Sequence, residues 1–170
     1  MSLSMYQASV PVLIRALKNL TGVLQKGETF AAMKKIDQSV LINDRLAPDM
    51  FPLVRQIQIA TDVARRGVAR LAGVEALKFE DNEQTFADLH DRIHRTIAYL
   101  ESFQPEQIDG TEDKPLSIEI GGNTMNFTGK EMLLNFSIPN VFFHATVTYA
   151  ILRHNGVEVG KKDFLGNMPH

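Results

Sequence analysis

Apolar residues near the start of the chain recur at alternating spacings of four and three residues. They are Tyr6, Val10, Leu13, Leu17, Leu20 and Leu24. Such a one-sided seam is typical of a helix in a bundle. We predict a helix that begins near Ser4, kinks at Pro11 and ends at Lys26-Gly27. A start near Ser9, with Pro11 in the first turn, is the alternative.

A second long helix is predicted between Asp49 and Gly73. Its apolar face consists of Met50, Leu53, Val54, Ile57, Ala60, Ala64, Val68 and Leu71. We expect Asp49 to cap its N-terminus, with Pro52 in the first turn, and Gly73 to end it. Before it, the pattern predicts a short helix over residues 30–36 and a connector over residues 39–48 that lies against the bundle.

A third helix is predicted to begin near Asp81 or Thr85, because Thr85 and Asp88 have the spacing of a capping box. Its apolar face consists of Phe86, Leu89, Ile93, Ile97 and Leu100. His90 and His94 lie one turn apart, a spacing that allows two imidazoles to share a metal ion. The neighbouring sequence offers no further His or Glu to complete such a site, so we expect a pair of partly exposed surface histidines.

The chain changes character after residue 103, where Pro105, Gly110 and Pro115 interrupt any helix. Two alternating segments, 115–120 and 124–128, flank a Gly-Gly-Asn turn and predict a small β-hairpin. An isolated hairpin is marginally stable in water, so we expect it to pack across an end of the bundle. Thr128 and Glu131 then have the spacing of a second capping box.

The last long helix is predicted from Asn140, as its N-cap, to Asn155-Gly156. It is apolar on nearly every side and is therefore expected to be buried. His144, Thr148 and Asn155 lie within about 40° of one another on its surface. Because a buried polar group without a partner costs about 1–3 kcal/mol, this stripe needs side chains, water, a metal or a ligand. We expect Phe164 and Leu165 to pack back onto the bundle.

Two polar residues of the second helix, Gln58 and Asp62, lie one turn apart. They form either a polar flank of that helix or a pair that faces His144 inside the bundle. In the second case the carboxylate could tune His144 as a general base, whereas a closed structural network is the alternative. The candidate pocket residues are His144, Thr148, Gln58, Asp62, Asn155 and Tyr149.

These elements predict an all-α fold in a single domain over residues 1–170. We expect an up-down four-helix bundle with a crossover connection and a small β-hairpin before the last helix. The length, with 44% hydrophobic residues, is sufficient for one core.

Composition narrows the classes of function. The net charge of −2 gives no basic excess, so we expect no nucleic-acid partner. No leader or membrane-spanning stretch is seen in the sequence, so we expect a soluble cytoplasmic protein with no membrane partner. The chain has no Cys, which excludes a thiolate nucleophile, and it has no Gly-x-Ser-x-Gly, His-Glu-x-x-His or Glu-x-x-His motif.

Two long runs carry a resemblance to a known family. PDMFPLVRQIQIATDVARRGVARLAG and PNVFFHATVTYAILRHNGVEVGKKDFLG resemble an uncharacterised bacterial family assigned to the DinB/YfiT-like superfamily. The resemblance covers nearly the whole chain, from MSLSMYQASVPVLIRALKNL onwards. It implies a DinB-like four-helix bundle, often a homodimer, in a class described as metalloenzymes. Thiol-dependent transferases, such as maleylpyruvate isomerase and mycothiol- or bacillithiol-dependent enzymes, are among the relatives.

The superfamily pattern is a metal site of three histidines, one on the second helix and two, four residues apart, on the last. Here His144 matches that pattern, but the position four residues later is Thr148. The second helix offers Gln56, Gln58 and Asp62 and no His. Either His144 holds a divalent metal with such mixed ligands, or the metal site has been lost.

Two functions follow from this sequence. The first is an enzyme that binds a metal or a small molecule in a pocket around the last helix. The alternative is a non-catalytic dimeric module, for ligand binding or interaction, that has lost the three-His site.

Overall fold

The structure is a computed structural model of the chain, and it describes residues 3–167. Its elements, in chain order, are α1 (Met5–Lys34), α2 (Gln38–Ile42), α3 (Leu53–Ala72), α4 (Phe86–Glu101), α5 (Pro105–Ile108), β1 (Pro115–Ile120), β2 (Asn123–Thr128), α6 (Gly129–Glu131), a π-helical segment (Met132–Ser137), α7 (Ile138–His154) and α8 (Lys161–Leu165). The mostly helical architecture, with a hairpin before the last long helix, agrees with the prediction.

The four long helices surround one apolar core. Helix α1 packs against α4 and α7, and α3 packs against the same two helices. The apolar seams predicted from the sequence supply this core, including Leu17 of α1, Ile57 of α3, Ile93 of α4 and Ile151 of α7.

Helix α1 begins as predicted, with Pro11 inside it and Ser4 as the N-cap; Ser4 Oγ accepts a hydrogen bond from the Gln7 N–H at 3.2 Å. The predicted end at Lys26-Gly27 is wrong, because the helix continues to Lys34 and takes in residues 30–34 of the short helix expected over residues 30–36. Gly27 allows a close approach of helices instead. A Cβ atom on it would lie 2.9 Å from a methyl carbon of Leu152 in α7.

Helix α3 begins later than predicted. Pro52 is the residue before its first turn, so the prediction that Asp49 caps it is wrong. The Leu53 N–H instead donates to the backbone carbonyl of Asp44 at 2.9 Å. The predicted end is confirmed, since Gly73 adopts the left-handed conformation with φ of 73°.

Two predicted capping boxes are present in the structure. Thr85 and Asp88 cap α4, and Thr128 and Glu131 cap α6. Between these helices, β1 and β2 pair antiparallel from Pro115↔Thr128 to Ile120↔Asn123, which confirms the hairpin. Ile118 of β1 is buried and anchors the hairpin to the core.

The chain from α6 to α7 is helical without interruption, and its middle part, Met132–Ser137, is a π-helix. The prediction that Asn140 caps α7 is therefore wrong, because the residues before it are already helical. Helix α7 ends at His154, and Gly156 follows with φ of 92°, as predicted.

The last described residues return to the bundle through α8. Phe164 packs against Phe142 and Tyr149, with ring centroids 6.4 and 6.1 Å apart, whereas Leu165 is exposed. Within residues 3–167, no helix combines the length and the apolar character needed to cross a membrane.

Candidate functional site

Helix α7 places His144 against Gln56 of α3. The Nδ1 atom of His144 lies 2.6 Å from the Oε1 atom of Gln56, and the Gln56 Nε2 atom donates to the Phe51 carbonyl at 2.8 Å. Because the amide nitrogen of Gln56 is used as a donor, its oxygen is the acceptor for His144. The proton of neutral His144 therefore lies on Nδ1, and the lone pair lies on Nε2.

The surroundings of His144 favour this neutral form. Burial, followed by the positive charge of Arg55, lowers the pKa of His144 below its ordinary value of 6.5. The residue is 8% exposed, and its Nε2 atom has no hydrogen-bond partner within residues 3–167. At neutral pH the site therefore presents a hydrogen-bond acceptor with a fixed tautomer.

One aromatic ring contacts this imidazole, and a second belongs to the residue that binds Gln56. The Phe143 ring meets the His144 ring edge-to-face, with centroids 5.2 Å apart. The backbone carbonyl of Phe51 accepts the hydrogen bond from Gln56, and the Arg55 guanidinium lies 5.9 Å from the centroid of the Phe51 ring. Both Phe51 and Phe143 are 55% exposed, so each presents an apolar ring to solvent.

Thr148, one turn after His144, is fully buried. Its hydroxyl donates to the His144 backbone carbonyl at 2.9 Å. This bond satisfies the hydroxyl inside the helix, so Thr148 supports the backbone around His144.

The structure does not bring Gln58 to His144. The Gln58 amide nitrogen donates to a Glu83 carboxylate oxygen at 2.8 Å, and its oxygen accepts from Arg55 at 3.1 Å. Arg55 also pairs with Asp81. Gln58 is thus both buried and part of a polar network on the flank of α3 that faces the α3–α4 loop.

Asp62 belongs to the same network. Its Oδ1 atom accepts from Arg65 at 2.6 Å and from Arg92 at 2.8 Å, and its Oδ2 atom lies 3.0 Å from Arg66. Arg92 is 1% exposed and also pairs with Asp81. We call Asp62, Asp81, Glu83, Arg65 and Arg92 the α3–α4 ion network.

The remaining candidates lie in other parts of the fold. The Asn155 amide donates to an Asp44 carboxylate oxygen at 2.6 Å and thus ties the end of α7 to the α2–α3 connector. The Tyr149 hydroxyl donates to the Val159 carbonyl at 3.4 Å, and its ring contacts Phe164. The predicted polar stripe is therefore divided among separate hydrogen-bonding partners.

Comparisons with known proteins agree with this fold. The family model described as "Domain of unknown function (DUF1993)" matches residues 5–165. A crystal structure of a DinB family member protein from Shewanella denitrificans is 45% identical in sequence, with a TM-score of 0.87. The match covers 97% of this chain and 93% of that one. The chain belongs to the DUF1993 family of DinB-like proteins. No curated protein matches it.

The residues around His144 in this DUF1993 protein do not fit the three-His metal site of the wider superfamily. Across residues 3–167, no group of three His, Cys, Asp or Glu side chains is arranged to hold a metal ion. The neighbours of His144 are the amide of Gln56, which takes up Nδ1, and the cationic Arg55, which disfavours a second positive charge.

The His90 and His94 pair does not supply such a site either. Their rings stack with centroids 6.3 Å apart, and His90 Nε2 lies 3.4 Å from a Glu28 carboxylate oxygen. His94 is exposed, as expected for a surface pair, but the His90 side chain is mostly buried.

Gln56 is the residue of this DUF1993 protein that the pocket prediction did not include. It lies three residues after Leu53 and four before Ala60, so it interrupts the apolar face of α3 with an amide. A polar residue at helical spacing within an apolar face requires a buried partner, and that signal marks Gln56 as a candidate without identifying its partner.

Proposed function

We propose that this DUF1993 protein binds a small molecule at His144 without a metal ion. The observation that supports it is the Nδ1 contact with Gln56 at 2.6 Å, which leaves Nε2 as an acceptor toward solvent. A ligand with an O–H, N–H or S–H group would donate to this nitrogen. If that group is acidic, the same nitrogen would take up its proton as a general base.

The neighbours of His144 support such a ligand. Arg55 places a positive charge near the imidazole, which would stabilise the anion formed when the ligand loses its proton. The exposed rings of Phe51 and Phe143 would contact an apolar part of the same molecule. The proposed roles are therefore His144 as acceptor, Gln56 as the group that fixes its tautomer and Arg55 as the charge partner.

A ligand screen by thermal shift tests this proposal. We expect compounds that raise the melting temperature of the wild type to lose that effect in His144→Gln and to keep it in His154→Gln. His154 is a matched control, since it is an exposed histidine at the end of the same helix. Equal shifts in all three proteins would contradict the proposal.

Metal content of the purified protein tests the second half of the proposal. We expect no stoichiometric Zn²⁺, Mn²⁺ or Ni²⁺ by plasma mass spectrometry in the wild type or in His144→Gln. A stoichiometric metal that is lost in His144→Gln would mean that a mixed-ligand site exists and that the metal-free proposal is wrong.

A dimeric interaction module is the second candidate. The exposure of Phe51 and Phe143 favours it, because such rings are often covered by a partner. A homodimer through this face predicts that Phe143→Ser shifts the light-scattering mass from dimer to monomer. A monomeric wild type at high concentration would exclude it. An up-down helix order with a crossover, a cytoplasmic location and the absence of a nucleic-acid partner stay predictions.

A further inference from the structure

A cleft of about 380 Å³ lies between the second half of α3 and the segment that follows it. Its polar lining is dominated by cations, namely Arg65, Arg66, Arg70 and Lys78, with Glu75 as the one carboxylate in the lining. The volume is in the range of about 300–1,000 Å³ that is usual for small-molecule sites. We call it the α3 arginine cleft.

The cations of this cleft are not all neutralised by the protein. Glu75 is paired with Lys78 at 3.5 Å. Asp62 serves both Arg65 and Arg66. The guanidinium of Arg70 has no carboxylate partner within residues 3–167, although the residue is half-buried.

The charged residues of the cleft leave part of its positive charge without a carboxylate. Four cations line it, namely Arg65, Arg66, Arg70 and Lys78, and the carboxylates that pair with them are Asp62 and Glu75, which leaves an excess of two positive charges. Burial, and then the like charge of Arg66, lowers the pKa of Arg70, as expected for cations held close together without a counter-ion. Arginine stays protonated at neutral pH, so this excess persists.

We propose that the α3 arginine cleft binds the phosphate group of a small phosphorylated metabolite, with Arg66 and Arg70 as its donors. A phosphate monoester carries about −1.5 to −2 charges at pH 7, which matches the excess of two. Guanidinium groups donate to phosphate oxygens in pairs, which explains arginine rather than lysine at these positions. Arg66 and Arg70 also line the neighbouring cleft of about 230 Å³, so both side chains have room to turn toward a ligand.

Titration with inorganic phosphate and with phenyl phosphate, followed by ¹H–¹⁵N NMR at constant ionic strength in chloride, tests this site. We expect saturable shifts concentrated in the amides of residues 65–78. Arg70→Gln should weaken binding at least about tenfold, because it removes a bidentate charged partner. Arg70→Lys keeps the charge but loses the paired geometry, so an intermediate loss is expected.

Arg153→Gln is the matched control, since it removes the same charge from an exposed position on α7. It should leave phosphate binding unchanged, and so should His144→Gln, which separates this site from the one proposed at His144. Arg70→Gln is expected to fold normally, because it breaks no ion pair of the described chain. A circular-dichroism melt confirms this before the titration.

Three outcomes would overturn the proposal. The first is a set of shifts that do not saturate or that chloride reproduces. The second is an equal loss of binding in Arg153→Gln and Arg70→Gln, which would indicate general charge attraction. The third is tighter binding of succinate than of either phosphate, which would assign the cleft to a dicarboxylate.

Discussion

Replacing Arg92 by Met should cost this fold about 3 kcal/mol of unfolding free energy. Arg92 is 1% exposed, and its guanidinium pairs with Asp62 at 2.8 Å, Glu83 at 2.9 Å and Asp81 at 3.0 Å. Methionine fills much of the same space, but it leaves Glu83 without a cation and takes one of their cations from Asp62 and Asp81. Removal of one partner from a buried ion pair typically costs about 3–5 kcal/mol. We take the lower end, because Asp62 and Asp81 are partly exposed and solvent offsets some of the loss.

Urea denaturation followed by circular dichroism at pH 7 measures this loss directly. In a domain of this length, each kcal/mol shifts the melting temperature by about 2–4 °C, so a decrease of about 6–12 °C is expected in a thermal melt. Arg95→Met is the matched control. Arg95 lies over the Phe79 ring at 4.3 Å, but it is exposed and its partner Asp91 is 3.6 Å away. Its loss should cost less than about 1 kcal/mol.

A double variant tests whether the carboxylates are the cause. Glu83→Gln removes one of the charges that Arg92 neutralises, so it should recover part of the loss when combined with Arg92→Met. If Arg92→Met were as stable as Arg95→Met, or if the two changes were simply additive, the ion network would not stabilise the α3–α4 loop as argued.

Three further predictions follow from single contacts. Gly129→Ala should destabilise the fold by at least about 2 kcal/mol in urea, because its Cβ would lie 2.0 Å from the Thr111 carbonyl oxygen. Lys114→Met should cost about 1 kcal/mol in the same assay, since Lys114 Nζ donates to the Leu71 carbonyl at the end of α3 at 2.9 Å. Burial lowers the pKa of His90 below 6.5, so the unfolded chain binds this proton more readily and stability falls as the pH drops below about 6.5. His90→Gln should flatten the melting temperature between pH 7 and 5.5, and an unchanged slope would contradict this.

Local rules predicted the parts of the fold that depend on neighbours in sequence. The capping boxes at Thr85 and Thr128 were found because both partners lie within one turn. The hairpin was found for a similar reason, since alternation and a Gly-Gly turn are local signals. The end of α3 at Gly73 could also be predicted locally, because glycine readily adopts the left-handed conformation found at helix C-termini.

Non-local packing explains the predictions that failed. Gly27 is of the residue type that often ends a helix. Here a glycine is needed because Leu152, which is distant in sequence, packs against this position. Asn140 is a residue type that often caps a helix N-terminus, but the backbone before it is already helical in the π-helical segment. At the candidate site, His144 was found from its place on an apolar helix, whereas its partner Gln56 is visible only when α3 and α7 are packed together.

The π-helical segment links the hairpin to α7. The direction of the hairpin relative to α7 therefore depends on the number of residues in this segment and not on their identity. A π-turn accommodates one residue more than an α-turn. Deletion of Leu134, which is 49% exposed, would convert Met132–Ser137 to ordinary helix and turn α6 and the hairpin by about 100° relative to α7. His144 would keep its place, while β1 and β2 would swing to another side of the bundle. Within such a family, insertion or deletion of one residue can therefore reshape the surface beside α3 and leave the histidine where it is.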